Sequence, residues 1–439
     1  MNETISVVGL GKLGLCLAAV IADAGFQTIG VDIEEGVVRQ VNAGKPPFFE
    51  PGLQELLSRH SGRRLVATTD HARAINESDV TFVLVATPSN ADGSFSNRYV
   101  ESALKSLGKA FRLSGKAYHD FVISSTVTPG STASSFIPLI EQYSGKRLNS
   151  DFGVCYDPDF VALGDVIRGF KNPEMVVLGE SSEKVGNRLL EIHRQICGGE
   201  VRVARMSLIS AEIAKVSLNT YVTVKISFAN MLANLCERVP GADVDAISAA
   251  IGTDRRISPY YFRGGLAFGG TCFPRDTRAF KTFSQSLGYE PALIEAIEKI
   301  NQYQSRHLLD LVLENLPRDN GGVGVLGLAF KAKTSVITES PTMKLIEELI
   351  GRDLRVVVYD PLALANAKVV FEDRVEYVSS ASECLDAVSV CVVGNTDVEY
   401  KQAIEEYRGD NRKTVLDCWR IVDRARIADQ VNYIAWGYA

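Results

Sequence analysis

The sequence predicts an α/β protein: two parallel-sheet domains joined by a central helical region that contains a long helix. Three observations carry this. Strand and helix patterns alternate from the N-terminus to about residue 205. Helical periodicity with few breakers then dominates as far as Asn315. Buried-strand signals return at Val323 and recur to Asp417. The expected division is therefore 1–205, 206–318 and 319–439, in keeping with domains of about 100–200 residues.

Taken in order, Ile5-Ser6-Val7-Val8 reads as a strand, and Leu13 to Ala24 as a helix stopped by Gly25. Gln27 to Asp32 reads as a second strand. Val80–Val85, Phe121–Ser124 and Phe152–Tyr156 are later buried-strand candidates. Such a βαβ series implies a parallel sheet with helices on both faces. Ser207 to Glu237 forms the long helix, followed by helical patterns over Asp243–Ile251, Thr277–Leu287 and Pro291–Asn315. Val323–Leu326, Arg355–Tyr359, Val388–Val393 and Lys413–Asp417 supply the second sheet. No short repeat and no low-complexity stretch intervenes.

Composition bounds the function. The chain is 46% apolar and 23% charged, ordinary for a soluble globular protein. A net charge of -6 and a pI near 5.6 argue against a nucleic-acid partner, while leaving room for a local basic pocket for a phosphate. No run of about 18 apolar residues offers a membrane span. Met1-Asn2-Glu3-Thr4 leads straight into an apolar strand, so no signal peptide is expected. Cysteines at 16, 155, 197, 236, 272, 384, 391 and 418 form no CxxC pair and have no histidine cluster beside them. Neither a metal site nor a disulfide framework is expected; most read as small buried residues in a reducing cytoplasm.

Gly9-Leu10-Gly11-Lys12-Leu13-Gly14 matches G-x-G-x-x-G, follows a strand and opens a helix. In that setting Gly9 permits the tight turn, Gly11 lets the backbone approach a pyrophosphate, and Gly14 lets helix and strand pack closely. The helix N-terminus then presents unpaired N–H groups to the phosphates. Asp32, at the end of the second strand, can bond a ribose 2′-hydroxyl and repels a 2′-phosphate, which favours NAD over NADP. Gly322-Val323-Gly324-Val325-Leu326-Gly327 has the same spacing, but its glycines fall before and inside a strand. No phosphate loop is expected there.

Phe268-Gly269-Gly270-Thr271-Cys272-Phe273-Pro274-Arg275-Asp276 is the most informative stretch. Two glycines allow close backbone approach to a ligand, and Pro274 suits a first helical turn. Cys272 is expected just ahead of a helix N-terminus, where the dipole and the Arg275 charge favour thiolate. A thiolate can add to an aldehyde; the thiohemiacetal can lose hydride to NAD and become a thioester that water cleaves. The competing reading is one more buried cysteine.

These residues, in this order, resemble the UDP-glucose/GDP-mannose dehydrogenase family. The resemblance also covers Asn42-Ala43-Gly44-Lys45, Glu50-Pro51-Gly52-Leu53, Thr87-Pro88-Ser89, Ser125-Thr126-Val127-Thr128-Pro129-Gly130, Ala211-Glu212-Ile213-Ala214-Lys215, Asn219-Thr220-Tyr221, Ile251–Ile257, Gly327-Leu328-Ala329-Phe330-Lys331, Ser340-Pro341 and Tyr359-Asp360-Pro361. It implies two Rossmann-like domains joined by a long helix that also builds a homodimer. It places Leu13, Thr87, Pro88, Ser125, Thr126 and Arg275 at the cofactor, Thr126 near the nicotinamide. Lys215 and Asn219 lie four apart on one helix and so share a face. The resemblance sets them around the reacting C6 oxygen, with Lys215 stabilising oxyanion charge and Asp276 orienting a water or these groups. Asp159, Phe160, Val161, Gly269 and Phe330 are placed along the substrate. Tyr261 is set beside the base, Lys331 on the substrate, and Arg256 across the dimer interface.

The chain also departs from the family pattern. Asp157-Pro158-Asp159-Phe160-Val161-Ala162-Leu163-Gly164 stands where glucose-type members read roughly N-P-E-F-L-R-E-G. The second Glu, associated with thioester hydrolysis, is Leu163 here, and the first is the shorter Asp159. The Arg that often precedes Ser-Pro is absent, with Thr338 near its place, and Arg275 replaces a Lys. Asp159 or Asp276 is left to position the water. The expected activity is the four-electron oxidation of UDP-glucose to the uronate, with GDP-mannose, dTDP-glucose and UDP-N-acetylhexosamines as alternative substrates. A two-electron dehydrogenase and a non-catalytic nucleotide-sugar binder are the competing readings.

Overall fold

The computed structural model describes residues 3–317, 321–409 and 411–439. The expected boundary at 318/319 and the first two residues lie outside the described residues. The chain divides into two compact units, Met1–Ser217 and Leu218–Ala439.

The first unit is built on an eight-stranded sheet of β1 Thr4–Val8, β2 Gln27–Val31, β3 Leu65–Thr68, β4 Val80–Val83, β5 His119–Ile123, β6 Phe152–Tyr156, β7 Val176–Glu180 and β8 Val203–Met206. The spatial order is β3-β2-β1-β4-β5-β6-β7-β8. Every residue of β4, β5 and β6 is buried, because helices cover both faces of a parallel sheet. Helix Lys12–Asp23 is buried from Gly14 to Ala22. It is apolar all round, as a helix enclosed by its neighbours must be.

One pair departs from the expected parallel sheet: β6 and β7 run antiparallel. The chain therefore leaves β6 and enters β7 at the same end. Residues 157–175 stay at the carboxyl end of β6, where open α/β sheets bind their ligands. β4 also ends at Val83, two residues short of expectation, because the backbone of Val85 turns to bond the Ser125 side chain.

The second unit contains helices Val244–Gly252, Phe273–Ser286 and Ala292–Asn315 and a six-stranded parallel sheet. Its strands are β9 Val323–Leu326, β10 Val356–Tyr359, β11 Glu376–Tyr377, β12 Val390–Val393, β13 Lys413–Asp417 and β14 Val431–Ala435. Their order is β11-β10-β9-β12-β13-β14, which repeats the order of the first six strands of the chain. Both follow the dinucleotide-fold arrangement 3-2-1-4-5-6. The long helix runs Leu208–Cys236, 29 residues. Helix Phe273–Ser286 begins four residues earlier than its apolar period suggests, with Cys272 as its N-cap and proline in its first turn.

Candidate active site

The glycine loop after β1 shows what each glycine does. Gly9 has φ +96°, and a Cβ there would lie 2.4 Å from the Leu84 carbonyl oxygen. A Cβ at Gly14 would lie 1.9 Å from the Gly9 oxygen, so helix and strand could not approach as they do. A Cβ at Gly11 would meet no protein atom within 4 Å. The space beside Gly11 is open, and Gly11 is the N-cap of a helix with no side-chain cap, which leaves its first N–H groups for a pyrophosphate. Leu13 packs against the core beneath. Asp32 is half-buried and accepts from Leu10 N–H at 2.7 Å and Glu34 N–H at 3.0 Å. Each carboxylate oxygen retains acceptor capacity for a ribose hydroxyl.

The second sheet shows the contrast. Asp360 holds the corresponding place after β10, but it is 3% exposed and accepts four backbone N–H bonds, from Leu328, Ala329, Leu362 and Ala363. No helix follows β9 directly; the next begins at Pro341. The second glycine pattern is thus a closed turn, although Gly327 falls directly after β9 rather than before or inside it.

Ser125 accepts from Val85 N–H at 2.9 Å and donates to Val85 C=O at 2.8 Å, locking the ends of β4 and β5 together. The buried Thr87 hydroxyl donates to Thr126 C=O at 2.6 Å, so it shapes the segment that carries Thr126. Pro88 accepts from Ser96 N–H at 2.7 Å. Glu212 accepts from Gly130 N–H, Thr132 N–H and the Thr132 hydroxyl, tying this segment to the long helix. Burial raises its carboxyl pKa although these donors oppose the shift.

The 157–165 connection is held from both ends. Asp157 pairs with the half-buried His193 at 2.8 Å. Burial pushes the imidazole pKa down, but the charge and hydrogen bond of Asp157 outweigh it and raise it overall. Glu50 accepts from Gly164 N–H at 3.0 Å and Val166 N–H at 2.8 Å. Val161 and Leu163 pack into one core and Phe160 against another. Leu163 is therefore a packing residue. Lys215 is only 5% exposed; its ammonium donates to the Asp159 carbonyl and lies 5.0 Å from the Phe160 ring centre. A solvated helix charge is excluded.

In the second unit, Asp276 is fully buried, at 0% exposure. It accepts from Asn219 Nδ2 at 2.6 Å through one oxygen and from Arg275 at 2.9 Å through the other. Asp276 thus holds the Asn219 amide in place. Arg275 shares its charge with that carboxylate, so its field at the neighbouring sulfur is weaker than the sequence suggests. Among the eight cysteines Cys272 alone is exposed. Its Sγ has Thr271 Oγ1 at 3.5 Å. The buried-cysteine reading fails on this observation.

Two glycines stand before Cys272. A Cβ at Gly269 would lie 2.2 Å from Glu339 O, and one at Gly270, where φ is +85°, would lie 2.7 Å from the Phe330 ring. They allow the chain to approach itself closely. Tyr261, at φ +58°, is half exposed and meets Phe273 edge-on at 5.8 Å. Phe262, by contrast, stacks on Phe228 as packing. Lys331 lies 5.8 Å from the Phe330 ring centre. Arg256 is exposed and, among the described residues, paired only with Asp254 at 2.6 Å, so its guanidinium is accessible to an incoming group. A cavity of about 390 Å³ lined by Glu237, His307, Trp436 and Tyr438 includes none of the predicted residues.

Sequence reasoning missed Trp419, whose ring packs on Gly265 at 2.8 Å from an added Cβ, and Arg263, which donates to the Trp419 carbonyl. It also missed the amides Asn230, Asn301 and Gln304, which lie in ordinary helical periods without a motif.

Profiles of the UDP-glucose/GDP-mannose dehydrogenase family match three successive stretches. The NAD binding domain matches residues 3–197, the central domain 209–303 and the UDP binding domain 324–424. A UDP-glucose 6-dehydrogenase of Haloferax volcanii is 36% identical over 432 residues, covering 98% of this chain and 100% of the relative. A GDP-mannose 6-dehydrogenase of Pseudomonas aeruginosa is 36% identical over 408 residues, 90% of this chain and 91% of the relative. The structure of a UDP-glucose dehydrogenase from Pyrobaculum islandicum matches with TM-score 0.89 at 34% identity, over 100% of this chain and 98% of that one. Among the described residues no helix is long and apolar enough to cross a membrane. The open cradle at Gly11, the acid after β2 and these matches lead to one conclusion: the chain belongs to the UDP-glucose/GDP-mannose dehydrogenase family, nucleotide-sugar 6-dehydrogenases with an NAD binding domain.

Proposed function

We propose that the chain oxidises the C6 alcohol of a nucleotide sugar twice, to the carboxylate, with Cys272 as the covalent carrier and UDP-glucose as the substrate. The observation that carries this is the single exposed cysteine, set at the N-cap of helix Phe273–Ser286. Gly9, Gly11, Gly14 and Asp32 would hold NAD, which when bound would supply the hydride acceptor for each oxidation. Lys215 and Asn219 hold the C6 oxygen as its proton leaves and negative charge develops. Cys272 Sγ adds to the aldehyde carbon, forming a C–S bond; loss of a second hydride gives the thioester. Water then adds to the thioester carbonyl and the C–S bond breaks, releasing acid and thiol.

Asp159, rather than Asp276, is the acid for that last step. Asp276 is 0% exposed and holds Asn219 and Arg275, whereas Asp159 is half-buried. The Asp159 carboxylate accepts no bond from any described residue. The UDP binding domain match over 324–424 supports a uridine nucleotide. Equal identity to a GDP-mannose 6-dehydrogenase supports GDP-mannose as the second reading.

The division 1–205, 206–318 and 319–439 then corresponds to cofactor, nucleophile-bearing and nucleotide-binding parts. The long helix forms a homodimer through a face on which Tyr221, Phe228, Met231 and Leu235 are 62%, 46%, 37% and 53% exposed. Eight unpaired cysteines support a reducing, cytoplasmic setting.

The test is a panel of nucleotide sugars with NADH counted per sugar consumed. Two equivalents with UDP-glucose are expected. One equivalent with aldehyde as product overturns the four-electron reading. Binding without reduction of NAD by any sugar overturns catalysis altogether.

A further inference from the structure

The segment leading to Cys272, residues 263–271, is neither helix nor strand. Its buried backbone groups still need partners, because an unpaired buried peptide group is destabilising. Arg420 donates to Gly264 C=O at 2.8 Å, and the groups nearer the cysteine are met by three side-chain amides. Asn230 accepts from Gly265 N–H at 2.8 Å and donates to Leu266 C=O at 3.3 Å. Gln304 donates to Gly265 C=O at 2.8 Å, and its own oxygen accepts from Asn234 at 2.7 Å. Asn301 takes both groups of one peptide residue, accepting from Phe268 N–H at 2.7 Å and donating to Phe268 C=O at 3.2 Å. Asn230 and Gln304 are 1% and 0% exposed. Past Phe268 the segment is pinned by Gly270 N–H on Thr338 C=O at 3.0 Å and by the glycine contacts with Glu339 and Phe330.

We infer that Asn301, backed by Asn230 and Gln304, is a positioning residue that sets where the Cys272 sulfur stands. Asn301 is the last side-chain anchor before the nucleophile. It mimics a strand partner for Phe268, so that residue can neither rotate nor slide without losing two bonds. The amide chemistry suits the task. Each amide supplies a donor and an acceptor together, which a carboxylate cannot. None titrates, so the loop keeps its geometry over the pH range in which the thiol ionises. None places a charge beside a sulfur that must carry one.

This inference rests on Cys272 being the nucleophile, so Cys272→Ser is the control. If that variant still forms the acid, the reading of the site fails whatever Asn301 does. With Cys272→Ser inactive, Asn301→Leu is compared with wild type. A displacement of about 1 Å at a reacting centre costs about 100-fold. We expect kcat lower by about 10–100-fold, KM for NAD and nucleotide sugar within about threefold, and a rate of Cys272 alkylation by iodoacetamide altered at least about fivefold. Asn301→Asp keeps the acceptor for Phe268 N–H and loses the donor until its carboxyl is protonated. Its deficit in kcat and alkylation relative to wild type therefore shrinks as pH falls. A folded Asn301→Leu protein with wild-type kcat and alkylation overturns the inference. If Asn301→Leu does not fold, a pH-independent deficit in Asn301→Asp, or no deficit, overturns it.

Discussion

Lys215→Met separates a catalytic cation from a structural one. Lys215 is 5% exposed and has no carboxylate within ion-pair distance among the described residues. Burying an ammonium costs several kcal/mol after relaxation. Against that stand a charge-assisted bond to the Asp159 carbonyl, worth about 1.5–3 kcal/mol, and the Phe160 ring at 5.0 Å, worth about 0.5–2 kcal/mol. The two sides nearly cancel. Methionine keeps the stem and a polarizable end against Phe160, and leaves one half-exposed carbonyl without its donor, about 1 kcal/mol. Stability should therefore change by no more than about 1–2 kcal/mol in either direction. If Lys215 stabilises oxyanion charge, its loss costs about 2.7–4 kcal/mol of transition-state stabilisation, about 100–1,000-fold in kcat. The assay pairs a urea unfolding midpoint with NADH formation at saturating substrate. A variant that keeps kcat within threefold refutes the catalytic role. One that loses more than about 3 kcal/mol of stability refutes the energy balance.

Three further outcomes are expected. Iodoacetamide should modify Cys272 first; a first adduct on any of the other seven cysteines, seen by peptide mass, contradicts the accessibility argument. Asp32→Ala should lower kcat/KM for NAD by about 10–100-fold, since it removes a ribose acceptor and leaves Leu10 N–H unpaired, and should narrow the preference over NADP; an unchanged NAD-to-NADP ratio counts against the assignment. His193→Gln tests the half-buried pair with Asp157. The folded-state imidazole pKa is raised above 6.5, so its stabilisation is fully present below pH 6.5 and lost as pH rises through the folded value. Wild type should exceed the variant in thermal midpoint most at pH 6 and progressively less toward pH 9, and a difference that grows with pH excludes the pairing.

Much of this was legible before any coordinates. The glycine loop could be read because its function needs backbone geometry that only particular residues permit, and Gly9, Gly11 and Gly14 each behave accordingly. The helices Leu208–Cys236 and Ala292–Asn315 could be read because long periodic patterns average out local noise. The short edge elements could not. β11 is two residues long and β8 is largely exposed, so neither carries the apolar run by which buried strands declare themselves.

The family-level chemistry, NAD binding and the two-sheet architecture are properties of local residue order, because motifs and periodicity act over a few turns of chain. Tertiary structure alone decided which cysteine is exposed, that Leu163 packs against a core, and that Asp276 is fully buried while Asp159 is half-buried. It also decided that three unremarkable amides hold the loop that leads to Cys272. These are facts about which distant groups meet: Asn301 and Phe268 are 33 residues apart in the chain, and no local pattern encodes a hydrogen bond between them.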